Sequence, residues 1–175
     1  MPDDGKVKAQ KKVTIYTDGS SLGNPGPGGY GVVMMHGPHR KEICGGFRLT
    51  TNNRMEILAA IVALRALKPT HRCKVTIHTD SRLLVDAIGK NWLKKWQATG
   101  WRKSDKKPVL NKDLWLDLIQ ELRNHDVSFE WVRGHIGVPE NERCDVLANT
   151  TAHEPNLPPD TEYELVVKTG LKTEE

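Results

Sequence analysis

The chain has 175 residues, 37% hydrophobic and 27% charged, which suits one domain with a real core and excludes a disordered protein. Its net charge of +4 is compatible with a polyanionic partner, and no apolar run is long enough to cross a membrane. Cys44, Cys73 and Cys144 have no CxxC spacing and the polar N-terminus has no signal-peptide core, so a soluble, reduced, cytoplasmic protein is expected; a monomer is expected as well.

In chain order, residues 1–12 read as a flexible leader. Residues 13–17 alternate β-branched and aromatic side chains and predict a strand. A glycine- and proline-rich turn covers residues 23–29, and residues 30–35 and 42–49 predict two more strands, antiparallel because their connection is short. Helical spacing of Met55, Leu58, Ala59 and Val62 predicts a helix over residues 51–67, stopped by Pro69. Residues 75–79 form a fourth strand and 81–98 a helix broken near Gly89. A leucine-striped helix over 111–124, a fifth strand over 127–132 and a helix over 143–152 follow. Residues 154–175 read as a tail with a strand-like piece at 163–167. The sum is a mixed α/β domain over residues 13–153.

Two strands echo each other. Val13-Thr14-Ile15-Tyr16-Thr17-Asp18 and Val75-Thr76-Ile77-His78-Thr79-Asp80 share one pattern, and each ends in aspartate. As parallel neighbours they would set Asp18 and Asp80 side by side at the carboxyl edge of a sheet, where open α/β folds bind ligands. Alone, each aspartate is better read as a turn or helix cap. Together they repel unless a proton or cation intervenes. Glu56 shares a helix face with Ala60, Ala63 and Leu67, so it is either a first-turn acid on the helix dipole or a third carboxylate at the same edge. Asp145 stands near the start of the last predicted helix, just after a polar loop carrying His135, and the dipole reading applies to it too.

Between residues 90 and 107, seven lysines and arginines (Lys94 and Lys95 among them) face the single acid Asp105, with Trp92, Trp96 and Trp101 interleaved. Such a stretch is either a solvated helix whose tryptophans plug the core or a nucleic-acid handle, with lysines on phosphates and rings on sugars or bases.

Thr17-Asp18-Gly19-Ser20, Gly23-Asn24-Pro25-Gly26-Pro27-Gly28-Gly29, Thr51-Asn52-Asn53-Arg54-Met55-Glu56, Thr79-Asp80-Ser81, Gly134-His135 and Asn141-Glu142-Arg143-Cys144-Asp145 occur in this order. In these motifs the chain resembles the type 1 ribonuclease H family, bacterial branch, from about Val13 to Ala152. The resemblance implies a ribonuclease H-like α/β fold: a five-stranded mixed sheet, three strands antiparallel and two parallel, flanked by helices. It implies hydrolysis of the RNA strand of RNA–DNA hybrids, with Asp18, Glu56, Asp80 and Asp145 holding two Mg2+ ions, Mn2+ being a possible substitute. His135 would assist proton transfer or product release. Asn24, Asn52 and Asn53 would read 2′-hydroxyls, and the basic tryptophan stretch would grip the DNA strand. Thr51 and Asn111 would hold a DNA-strand phosphate, with Trp96 against the deoxyribose. Arg82, where relatives often carry glutamine, and Leu110, where several carry lysine, depart from the family pattern. A non-catalytic hybrid-binding module on the same fold is the alternative; a DNA-directed nuclease or strand-transfer enzyme is a further rival.

Overall fold

Alternation along the first strand puts Val13, Ile15 and Thr17 on one buried face, and the fourth strand does the same with Val75, Ile77 and Thr79. In the computed structural model, which describes residues 9–134 and 137–170, the elements are β1 (Lys12–Ser21), β2 (Gly26–His36), β3 (His39–Thr50), α1 (Asn52–Arg65), β4 (Lys74–Thr79), α2 (Arg82–Gly89), α3 (Trp92–Ala98), α4 (Lys112–Leu122), β5 (Asp126–Trp131), α5 (Pro139–Ala152) and α6 (Thr161–Lys168). Most of the 1–12 leader lies outside the described residues.

The sheet order is β3-β2-β1-β4-β5. Strands β1, β2 and β3 pair antiparallel, while β1 with β4 and β4 with β5 pair parallel, so the expected mixed sheet is present. Val13 pairs with Val75 and Ile15 with Ile77, in step. Asp18 and Asp80 each follow these partners by the same number of residues, so the register carries both to one edge.

Thr51 caps α1, its hydroxyl accepting from the Arg54 amide at 3.2 Å. Met55, Ile57, Ile61 and Leu64 of α1 are almost completely buried against β1, β2 and α4. Burying each contributes on the order of 2 kcal/mol. Helix α5 covers the other face of the sheet, and its approach depends on glycine. A Cβ on Gly31 of β2 would strike the Cys144 carbonyl of α5, whereas one on Gly28 would meet Thr50 and Met55 on the α1 side.

Three sequence expectations are corrected. Residues 26–29 are not turn but the start of β2, pairing with β1 through Gly28–Ser21 and Gly29–Ser20; glycine is accepted in this strand because a helix backbone presses on it. Helix α5 begins at Pro139 rather than at residue 143, with proline in the first helical turn and Glu140 and Glu142 behind it. Residues 163–167 are helical, not strand. Tyr163 and Val166 turn inward one helical turn apart, and that period displaces the β preference of the valines.

Helix α6 is tied down by charge. Arg54, 3% exposed, donates to Asp160 (2.8 and 3.0 Å), to Asp113 (2.9 and 2.8 Å) and to Asn111 Oδ1 (3.3 Å). Asp160 also accepts from Thr50 Oγ1 at 2.8 Å, and Arg48 forms a two-point pair with Glu164. Burial opposes the Arg54 charge, but the Asp113 and Asp160 hydrogen bonds outweigh it and hold the guanidinium more firmly protonated than an ordinary arginine. Replacing Arg54 by Met leaves Asp160 buried without its cation. Denaturant unfolding should show a loss of about 3–5 kcal/mol, and a loss below about 1 kcal/mol would mean that the network is not a structural tie.

Candidate metal centre

Asp18 stands on β1 paired with Gly31, Asp80 directly follows β4, and Glu56 projects from the N-terminal half of α1. Gly19 makes the third approach possible, since a Cβ there would collide with the Glu56 amide nitrogen. One carboxylate oxygen from each of Asp18, Glu56 and Asp80 lies within 4.8 Å of the others. Asp145 lines the same cavity from α5 but does not join this tightest group. It lies in the interior of α5, so the first-turn dipole role considered for it does not apply.

Asp18 is 5% and Glu56 9% exposed. Burial, then the Asp80 carboxylate, push Asp18 up to about 7, against a hydrogen bond with Glu56 and one from the Gly19 amide. Burial, then Asp18 and Asp80, hold Glu56 well above the ordinary carboxylate range. Glu56 Oε2 is buried with no hydrogen-bond partner. A proton held within the cluster or a cation must satisfy it. Grouped hard oxygens with no thiol or imidazole among them fit a divalent cation such as Mg2+.

The other expected site residues divide into three groups. Asn52 and Asn53 line the carboxylate cavity, and Asn24 reaches Asn52, its Oδ1 accepting the Asn52 amide at 3.0 Å. Thr51 and Asn111 come together around Arg54; Asn111 has a left-handed backbone at φ 61°. Trp92, Trp96 and Trp101 form a half-buried row, with Trp96 5.5 Å from the buried Trp115, so both readings of this stretch hold in part. The rings pack inward while Lys94 and Lys95 stay exposed, and the ammonium groups of Lys90 and Lys112 lie over Trp92 and Trp101. His135 lies outside the described residues.

Sequence reasoning missed the clamp beside Asp145. Arg143 of α5 donates to both oxygens of Glu42 on β3, at 2.8 and 3.0 Å. Hydrogen bonds from Arg143 and then Arg40 draw Glu42 down to about 2. Nothing local signals a pair 101 residues apart.

The family model for RNase H matches residues 10–153. The chain belongs to the RNase H family. A curated ribonuclease H from Desulforamulus reducens is 57% identical over 150 residues, covering 86% of this chain and 93% of that one. Among solved structures, LC9-RNase H1, described as a type 1 RNase H with the type 2 active-site motif, is 31% identical with a TM-score of 0.74, covering 92% of this chain and 83% of its own. LC11-RNase H1, solved in complex with an RNA/DNA hybrid, is 26% identical with a TM-score of 0.61, covering 80% and 96%. Membership of the RNase H family makes the chain a nuclease of the hydrolase class, and divalent metal use is general in that family.

The raised carboxyl groups set a pH dependence. Folded values above unfolded ones stabilise the metal-free RNase H fold fully below about pH 4, and this contribution is lost as pH rises through about 7. In EDTA, wild type should therefore lose stability relative to Asp18→Asn between about pH 4 and pH 7, by on the order of 1–3 kcal/mol, with little further change above that. Parallel stability curves for the two proteins would contradict the assignment.

Proposed function

We propose that this chain is an endonuclease that hydrolyses the RNA strand of RNA–DNA hybrids with two Mg2+ ions, leaving 5′-phosphate and 3′-hydroxyl ends, Mn2+ being a possible substitute. The observation that carries the proposal is the convergence of Asp18, Glu56 and Asp80 around an unsatisfied buried oxygen, in a cavity that Asp145 also lines. Asp18, Glu56, Asp80 and Asp145 would hold the ions. When bound, such ions lower the pKa of a coordinated water and relieve charge on a phosphate and its leaving oxygen.

The protein's own groups do the rest. Asp18 and Glu56 must give up the proton that their burial and mutual repulsion favour, so a neutral to basic pH suits activity. Asp18, which neighbours Glu56, Asp80 and Asp145, would be shared by the ions, while Asp80 and Asp145 would hold the ion that activates the attacking water and Glu56 the ion that relieves charge on the leaving oxygen. To His135 we assign proton transfer or product release. Asn24, Asn52 and Asn53 present short amides beside the cavity, suited to 2′-hydroxyls in the shallow groove of a hybrid. Exposed Lys94 and Lys95 on the Trp92, Trp96 and Trp101 row suit the phosphates and sugars of the DNA strand, and Thr51 with Asn111 a phosphate of that strand. LC11-RNase H1 in its hybrid complex supports the substrate class. Among the described residues no helix is long and apolar enough to cross a membrane. We extend the proposal to a cytoplasmic monomer, in keeping with the unpaired thiols of Cys44, Cys73 and Cys144.

Asp18→Asn should lower turnover of a hybrid by at least about 1,000-fold, some 4 kcal/mol of transition-state stabilisation, while the hybrid is still bound. Near-normal turnover would sink the assignment. His135→Ala should slow turnover by about 100-fold and leave Mg2+ affinity as it was, because its role is in proton transfer or release and not ligation. A matching fall in Mg2+ affinity would instead make it a ligand.

A further inference from the structure

Arg82 opens α2, two residues after Asp80, and lines the cavity that holds Asp18, Glu56, Asp80 and Asp145. Its position is not explained by helix stability. The start of a helix favours acids and works against a cation, and α2 has no acid in its first turn to compensate. Nor is Arg82 neutralised by the carboxylates around it, because it forms no ion pair among the described residues. Its guanidinium instead lies on the ring of Trp131, 3.7 Å from the centroid. Trp131, at the end of β5, is fixed in turn by donating its Nε1–H to the Asp80 backbone carbonyl at 3.3 Å.

A stacked guanidinium has its plane fixed by the aromatic face while its N–H donors, which lie in that plane, stay available at the edge. Arg82 is exposed, and no hydrogen bond from its side chain to the protein occupies those donors among the described residues. The result is a pre-oriented cation at the rim of an acidic cavity.

We infer that Arg82, held by Trp131, binds a phosphate of the RNA strand next to the bond being cut. The inference rests on the nuclease reading above. It assigns the RNA strand because the carboxylates must face the bond they cut, and Arg82 lines their cavity. Planar two-point donation to phosphate oxygens is the contact a guanidinium makes best.

The test is hybrid binding by the Asp18→Asn protein in Mg2+, titrated across about 50 to 200 mM KCl. Adding Arg82→Gln should weaken binding about 5–10-fold and flatten the log–log salt slope by about 0.9, the loss of one phosphate contact. Arg82→Lys should restore the slope but not the full affinity, since an ammonium does not fill the stacked, planar role. Trp131→Leu should weaken binding when Arg82 is present and do nothing further once it is Gln. One neutral methylphosphonate in the RNA strand beside the cut bond should abolish the Arg82→Gln difference, and the same change in the DNA strand should leave it intact. An unchanged salt slope and affinity in Arg82→Gln would overturn the inference while the nuclease reading stands. So would a difference erased only by the DNA-strand linkage. Failure of both proteins to bind the hybrid at all would overturn the inference and the nuclease reading together.

Discussion

Like charges held together at the end of a sheet are the constraint from which the rest of this structure follows. Parallel strands run about 4.8 Å apart, and the in-step pairing of β1 with β4 carries Asp18 and Asp80 to one edge, with carboxylate oxygens within 4.8 Å of each other. Glu56 is brought in by an α1 backbone that only glycine at position 19 admits. Each of these positions is set by backbone geometry, so the side chains have little freedom to relax their repulsion. The cost appears as raised carboxyl pKa values and an unsatisfied Glu56 oxygen. A divalent cation converts that cost into binding, because the oxygens that destabilise the metal-free fold are the ones it needs.

Charge is handled in the opposite way around Arg54. There one buried cation meets two carboxylates and an amide at hydrogen-bond distance, so little is left unsatisfied. The network joins α1, the start of α4 and the chain leading into α6, with Asn111 itself among the acceptors of Arg54. The stable network and the strained cluster thus share helix α1, with Arg54 and Glu56 two residues apart on different faces. Packing that fixes one end of α1 fixes the carboxylate at the other side of the same turn. Arg82 represents a third arrangement: a cation kept by an aromatic face rather than by an acid, and so still available to a ligand.

Most of the candidate site was legible because its signals are local. The repeated strand-plus-aspartate pattern marked Asp18 and Asp80 as candidates, a glutamate on an apolar helix face marked Glu56, and the resemblance to the family joined them with Asp145. Where the reading failed, the deciding partner was distant or the local signal ambiguous. Residues 26–29, three glycines around Pro27, resemble a turn until α5 is seen to press on the strand at Gly29. The valines of α6 suggest a strand, but the anchor that starts this helix, Asp160, finds Arg54 106 residues upstream. The early start of α5 did have a local signal, since Pro139 suits the first turn of a helix. Arg82 on Trp131 and Arg143 on Glu42 are contacts between segments that no spacing rule connects.

Cleavage of an RNA–DNA hybrid labelled on its RNA strand, in Mg2+ and then in excess EDTA, tests the central claim most directly. Single-stranded RNA, duplex RNA and duplex DNA belong beside it. The carboxylate account predicts that only the RNA of the hybrid is cut, and that chelation stops it. Binding without cleavage in any divalent metal would contradict it and leave the acids as structural groups of a hybrid-binding module.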